Sequence, residues 1–102
     1  MPNYLSVARV DEIVPGTAKQ VAAGGKALAI YNVDGKFYCT DGVCLHRGGP
    51  LGEGDLDGST VTCPWHGWEY DVTTGVNKMN PDVRLACHSI MVEGGEIKVS
   101  LD

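Results

Sequence analysis

The sequence has no apolar run approaching the ~18 residues that a membrane-spanning helix requires, so an integral helical membrane protein is not expected. Its start, Met1-Pro2-Asn3-Tyr4, lacks the basic-then-apolar layout of an export signal, and a cytoplasmic location is the expectation that follows. Positive charge is not gathered anywhere: the 8 Lys and Arg are scattered among 13 Asp and Glu, for a net charge of −5. Binding to nucleic acid, which needs basic groups clustered against phosphate, is therefore not expected, whereas docking on a basic protein surface is. There is no internal repeat, low-complexity tract or linker. Helical periodicity is weak throughout, and Val14-Pro15-Gly16 interrupts the one early stretch, residues 10–20, that could have sustained it.

Glycine, by contrast, is plentiful: 14 residues, many placed in pairs or after Asp, at Gly24-Gly25, Asp34-Gly35, Asp57-Gly58 and Gly94-Gly95. Such dipeptides supply the positive φ that two-residue hairpins need. Between them lie short segments rich in β-branched residues, and strands are predicted at residues 4–10, 17–22, 26–33, 37–40, 59–62, 69–72, 86–93 and 96–101. An all-β antiparallel sandwich or barrel is the economical architecture. The 102 residues suffice for one domain with a single modest core, which leaves no room for a separate catalytic domain.

Two stretches, residues 41–56 and 63–68, break the strand pattern, and each contains a Cys followed closely by a His. The first reads Cys44-Leu45-His46-Arg47-Gly48-Gly49-Pro50-Leu51, the second Cys63-Pro64-Trp65-His66-Gly67-Trp68. With spacings of one and two residues, both side chains of a pair can aim at one small object, and the hairpin through Asp57-Gly58 can bring the two pairs together. Without an export signal, the 4 cysteines read better as metal ligands or buried thiols than as disulfides. Zinc accepts two Cys and two His, but its usual sites pair Cys with Cys and His with His. A dinuclear iron–sulfur cluster accounts for the mixed pairs, each loop giving its Cys to one iron and its His to the other.

The run from Cys44 to Gly75 has Cys-x-His, then Pro50-Leu51 and Gly54, then Cys-Pro-x-His-Gly, Tyr70-Asp71 and Thr74-Gly75, and it resembles the Rieske ferredoxin family. The likeness extends more faintly over nearly the whole chain. It implies an all-β, Rieske-like fold of three small antiparallel sheets. Residues 1–102 would form one domain, with a cluster-binding subdomain of two loops at about residues 41–82. It also implies one [2Fe–2S] cluster held by Cys44, His46, Cys63 and His66. Respiratory members of the family tie the two loops with a disulfide at the positions occupied here by Gly49 and Trp65, so that bond cannot form. They place a sulfide-bonding serine where this chain has Trp68, while their sulfur-bonding tyrosine is matched by Tyr70. With one donor of two missing, the expected potential lies in the lower half of the Rieske range of roughly −150 to +300 mV.

Leu51 and one of Trp65 and Trp68 are expected to shield the cluster from water. Met79-Asn80-Pro81 resembles the proline-bearing loop that covers the cluster in this family, which makes Pro81 a further neighbour. Cys39 and Cys87 are expected as buried strand thiols, and His88 as a half-exposed strand residue.

The resemblance implies an electron-transfer protein with no catalytic residues of its own. The expectation is a soluble one-electron carrier from a flavoprotein reductase to a terminal oxygenase, such as a ring-hydroxylating dioxygenase. An alternative of similar size is the small Rieske subunit of an NADH-dependent assimilatory nitrite reductase, whose partner would be the large subunit. A zinc-stabilised interaction module is a third, distinguishable by its lack of colour.

Overall fold

The computed structural model describes residues 4–45, 48–65 and 67–100. Among these residues nine strands follow one another: β1 (Tyr4–Arg9), β2 (Ala18–Ala23), β3 (Lys26–Val33), β4 (Lys36–Asp41), β5 (Asp55–Asp57), β6 (Thr60–Thr62), β7 (Glu69–Asp71), β8 (Cys87–Glu93) and β9 (Glu96–Ser100). All pairings between them are antiparallel, in the orders β1-β9-β8-β4-β3-β2 and β5-β6-β7. The six-strand order divides at β8. Its first two residues, Cys87 and His88, pair with β4, whereas Ser89 to Glu93 pair with β9. The three small antiparallel sheets that the family resemblance implies are therefore present, two of them sharing β8.

Two-residue hairpins set the register, as the glycine pairs suggested. Val33 pairs Lys36 across Asp34-Gly35, where φ is 52° and 93°, and Glu93 pairs Glu96 across Gly94-Gly95, where φ is 60° and 79°. The β5–β6 turn differs by one residue from expectation. Asp57 is the last paired residue of β5, opposite Thr60, so the loop proper is Gly58-Ser59. Strand β5 itself was expected to be loop. Its sequence Asp-Leu-Asp has poor strand propensity, but pairing with β6 and the half-burial of Leu56 override it.

Strand β3 is the partition of the molecule. Leu28 and Ile30 pack on one side with Ala8, Ile13, Cys39, Ile97 and Val99, while Ala29 and Tyr31 face the other side with Leu51, Val61, Tyr70, Val72 and Leu85. The period of two in a strand sends alternate side chains to opposite faces, so a strand buried on both faces reads as the continuous apolar run Leu-Ala-Ile-Tyr, residues 28–31. Complete burial of Leu28, Ile30 and Ile97 stabilises the fold by about 1.5–3 kcal/mol each. The buried polar groups beside them are satisfied: Tyr31 Oη lies 2.9 Å from Thr40 Oγ1, and Asn32 Nδ2 donates to Ile13 O at 2.7 Å.

Candidate metal centre

Each of the two Cys-bearing loops is closed by the same backbone device. In the first, the Cys44 N–H donates to Gly49 O at 2.9 Å; in the second, the Cys63 N–H donates to Trp68 O at 2.7 Å. Both bonds run from the cysteine to the carbonyl five residues on, so each cysteine opens a tight ring of matching size. Inside the first ring the Gly48 N–H also donates to Cys44 O at 2.8 Å. Below it, the Val43–Pro50 bridge and the Leu51 N–H bond to Gly42 O, 3.0 Å, return the chain to its starting point.

The first loop is fixed to the larger sheet by a residue that no sequence pattern singles out. Gln20 of β2 donates from Nε2 to Gly42 O at 2.9 Å and accepts at Oε1 from the Gly52 N–H at 2.7 Å, gripping both ends of the loop with one amide. Neither neighbour tolerates a side chain: a Cβ on Gly42 would lie 2.6 Å from Gln20 Nε2, and one on Gly52 would run into the backbone of Lys19 and Gln20. The second loop is carried by the β6–β7 hairpin, where Thr62 pairs Glu69.

Neither Cys44 nor Cys63 is in a disulfide, and both are 2% exposed in the core that contains Leu51, Val61 and Tyr70. Hydrogen-bond donors are aimed at their sulfurs. The Trp65 N–H donates to Cys63 Sγ at 3.4 Å, and the Tyr70 hydroxyl lies 3.5 Å from Cys44 Sγ while accepting from the Leu45 N–H at 3.3 Å. Burial pushes the Cys63 thiol up and the neighbouring Cys44 pushes it further, against the opposing effect of the Trp65 N–H. Burial likewise raises the Tyr70 phenol to about 12, so it keeps its proton and can donate it. Two facing, buried thiols supplied with donors form an unfavourable pocket when protonated and a suitable one for thiolates held by a metal, whose positive charge removes the thiol protons. The donor set thus fits a metal–sulfur group. Among the described residues no third His, Cys, Asp or Glu joins the two cysteines. The expected ligands His46 and His66 lie outside the described residues, as does Arg47.

The expected neighbours of the centre fall into two groups. Leu51 is completely buried, Tyr70 likewise, and Trp68 is half-buried against the same core. Trp65 is 50% exposed, lying over Gly49, where a Cβ would sit 2.7 Å from Cys63 Sγ and 3.0 Å from the Trp65 ring. Positions 49 and 65 are thus adjacent, with the indole occupying the space between the loops. Pro81 is exposed on a turn that begins at Asn77, a residue bridged to Tyr70.

Two expectations about the remaining sulfur and imidazole groups need correction. Cys39 is buried in β4 and its thiol is pushed up to about 12 by desolvation, but Cys87 is exposed, because the start of β8 lines an open cleft beside Thr73, Thr74 and Arg84. The His88 side chain, 11% exposed, is nearer buried than half-exposed, and its Nε2 lies 2.8 Å from Asp41 Oδ1, with Lys26 Nζ 3.6 Å from the same oxygen. The third histidine is committed to the larger sheet.

Comparison with known proteins agrees with this geometry. The Rieske [2Fe-2S] domain family matches residues 3–89. The ferredoxin CarAc of Metapseudomonas resinovorans is 37% identical over 95% of this chain and 92% of its own length. The biphenyl dioxygenase ferredoxin subunit of Pseudomonas sp. strain KKS102 is 38% identical over 95% and 91%. Among solved structures, a chain in the complex of reduced oxygenase and oxidized ferredoxin in carbazole 1,9a-dioxygenase superposes with a TM-score of 0.86, at 36% identity over 95% of this chain and 92% of that one. No helix among the described residues is long and apolar enough to cross a membrane. The chain belongs to the Rieske [2Fe–2S] family, carries one such cluster, and is a ferredoxin-type electron carrier.

Proposed function

We propose that this chain accepts single electrons from a flavoprotein reductase and delivers them, in the cytoplasm, to the terminal oxygenase of a ring-hydroxylating dioxygenase system. The cluster supplies a one-electron couple when bound, and we assign its ligands as Cys44, His46, Cys63 and His66 within a subdomain spanning residues 41–82. The observation that carries the assignment is the matched pair of rings, each opening on a buried cysteine whose sulfur meets an N–H or O–H donor. In the sequence one histidine follows each of these cysteines within three residues, and the remaining histidine is occupied by Asp41.

Chain residues around the centre do three things. Leu51 and Trp68 exclude water from the inner side, which keeps the local dielectric low. Tyr70 and the Trp65 N–H stabilise negative charge on the cysteine sulfurs. Val43 and Leu45 of the first loop, Trp65 of the second and Met79 of the turn after Asn77 are exposed large apolar groups, and they suit transient docking of an electron-transfer partner close to the cluster. The net charge of −5 steers the chain towards a basic partner surface.

Relatives that are ferredoxin components of dioxygenase systems favour this reading over a nitrite reductase subunit. The test is anaerobic reconstitution with NADH, the reductase of a biphenyl or carbazole dioxygenase system and its oxygenase. The visible band should bleach on adding NADH with catalytic reductase and recover when oxidised oxygenase is added, and Leu45→Glu should slow the second step at least tenfold at unchanged potential. A protein that both partners leave untouched, and that purifies in a persistent complex with a sirohaem enzyme, would contradict the proposal.

A further inference from the structure

Among the described residues, Asn77 is the one near the centre whose polar side chain is buried and half used. It is 1% exposed. Its Oδ1 accepts from the Met79 N–H at 2.8 Å and the Asn80 N–H at 2.9 Å, and two donors converging on one atom identify it as the oxygen. The other terminal atom must therefore be the amide nitrogen. Among the described residues no acceptor meets that Nδ2 with hydrogen-bond geometry, an uncommon state for a buried donor.

The backbone determines what Nδ2 faces. Asn77 is directly opposite Tyr70 in an antiparallel bridge, held on either side by the Asp71 N–H bond to Val76 O at 2.9 Å and the Lys78 N–H bond to Glu69 O at 2.9 Å. Directly opposed residues project from the same face of a ladder with Cβ atoms about 5 Å apart. The Asn77 side chain therefore projects from the same face of the ladder as the Tyr70 ring.

The hydroxyl has a place for it. A phenol oxygen accepts two hydrogen bonds and donates one. Leu45 N–H takes one acceptor position, and Cys44 Sγ stands where the donated proton would go, since a thiolate ligand can only accept. One acceptor position is left. We propose that Asn77 is a positioning residue for the cluster, its Nδ2–H donating to Tyr70 Oη and thereby committing the phenol proton to Cys44 Sγ. Filling both acceptor positions of the hydroxyl prevents it from turning away and polarises its O–H bond towards the sulfur. The inference rests on Cys44 being a ligand.

The test is a double-mutant cycle read by voltammetry. Asn77→Ser keeps a short oxygen acceptor for the Met79 and Asn80 N–H groups, adds no charge, and is too short to reach the phenol. In the parent background it should lower the potential by a twofold to fourfold change in the redox equilibrium, about 18 to 36 mV at 59 mV per tenfold. In the Tyr70→Phe background the same substitution should change it less than about 1.2-fold, about 5 mV. Equal shifts in the two backgrounds, or none in the parent, would overturn the proposal. Should Asn77→Ser fail to fold, Asn77→Asp preserves the Oδ1 contacts; its added charge acts in both backgrounds, so a shift that is no larger with Tyr70 present overturns the proposal equally. A parent protein that binds no Rieske cluster would overturn the ligand assignment and this inference together, whereas a normal cluster with no coupling removes the inference alone.

Discussion

The six-stranded base and the three-stranded tip are both made of antiparallel hairpins, yet they cohere by different means. Strands of the base are long: β3 has 8 residues, β8 has 7, and β1, β2 and β4 have 6 each. They support a continuous backbone ladder and an apolar core of Leu28, Ile30, Ile97 and Val99. The tip has strands of 3 residues, and much of its remaining structure consists of ring closures around cysteines, amide clasps from Gln20 and Asn77, and close approaches at glycines. Isolated hairpins of that size are marginal in water. The difference teaches that the base can fold on apolar burial alone, whereas the tip is completed by what its cysteines hold, so cofactor binding there is also folding free energy.

A matched pair of substitutions sharpens that contrast. Leu28→Ala in the base should cost about 2–5 kcal/mol in chemical denaturation and leave the visible spectrum of the folded protein and its potential unchanged. Gly49→Ala in the tip should do the reverse. Its new Cβ would lie 2.7 Å from Cys63 Sγ, so iron and labile sulfide per chain should fall while far-UV circular dichroism retains the strands of the base. A Gly49→Ala protein that keeps its full iron content, or loses the whole fold with it, would erase the distinction between the two regions.

A smaller effect is expected within the tip. Tyr70→Phe preserves ring packing and removes the hydroxyl 3.5 Å from Cys44 Sγ. A charge-assisted bond to sulfur differs between redox states by about 1 to 1.5 kcal/mol, and at 59 mV per tenfold the potential should drop by roughly 40 to 65 mV. The direction follows from charge: the bond stabilises the more negative, reduced state, so its loss disfavours reduction. A shift within about 10 mV would reassign Tyr70 to packing.

The same contrast separates what could be read in the sequence from what could not. Strands and hairpins of the base were legible because Gly24-Gly25, Asp34-Gly35 and Gly94-Gly95 punctuate β-branched runs, and local turn chemistry fixes register. The two Cys-His pairs were legible because ligand spacing is a local property. Contacts made across the fold left no local trace. Gln20 reads as an ordinary strand residue, and only the return of the first loop over β2 makes its amide a clasp. Asp-Leu-Asp reads as loop until β6 supplies a partner, and Asn77 acquires its role from a bridge to Tyr70. The opposite exposures of Cys39 and Cys87 were hidden likewise, since both sit in strands and only the cleft beside β8 distinguishes them.

The account depends most on which histidines serve the cluster, and the chain offers only 3. Iron, labile sulfide and the visible and paramagnetic resonance spectra of the parent should therefore be measured beside His46→Ala, His66→Ala and His88→Ala. The predicted result is a parent with a Rieske spectrum, loss of that spectrum in each of the first two variants, and its retention in His88→Ala, whose imidazole belongs to Asp41. A Rieske spectrum that survives His46→Ala or His66→Ala, its loss in a folded His88→Ala protein, or a parent holding stoichiometric zinc without sulfide would contradict the account.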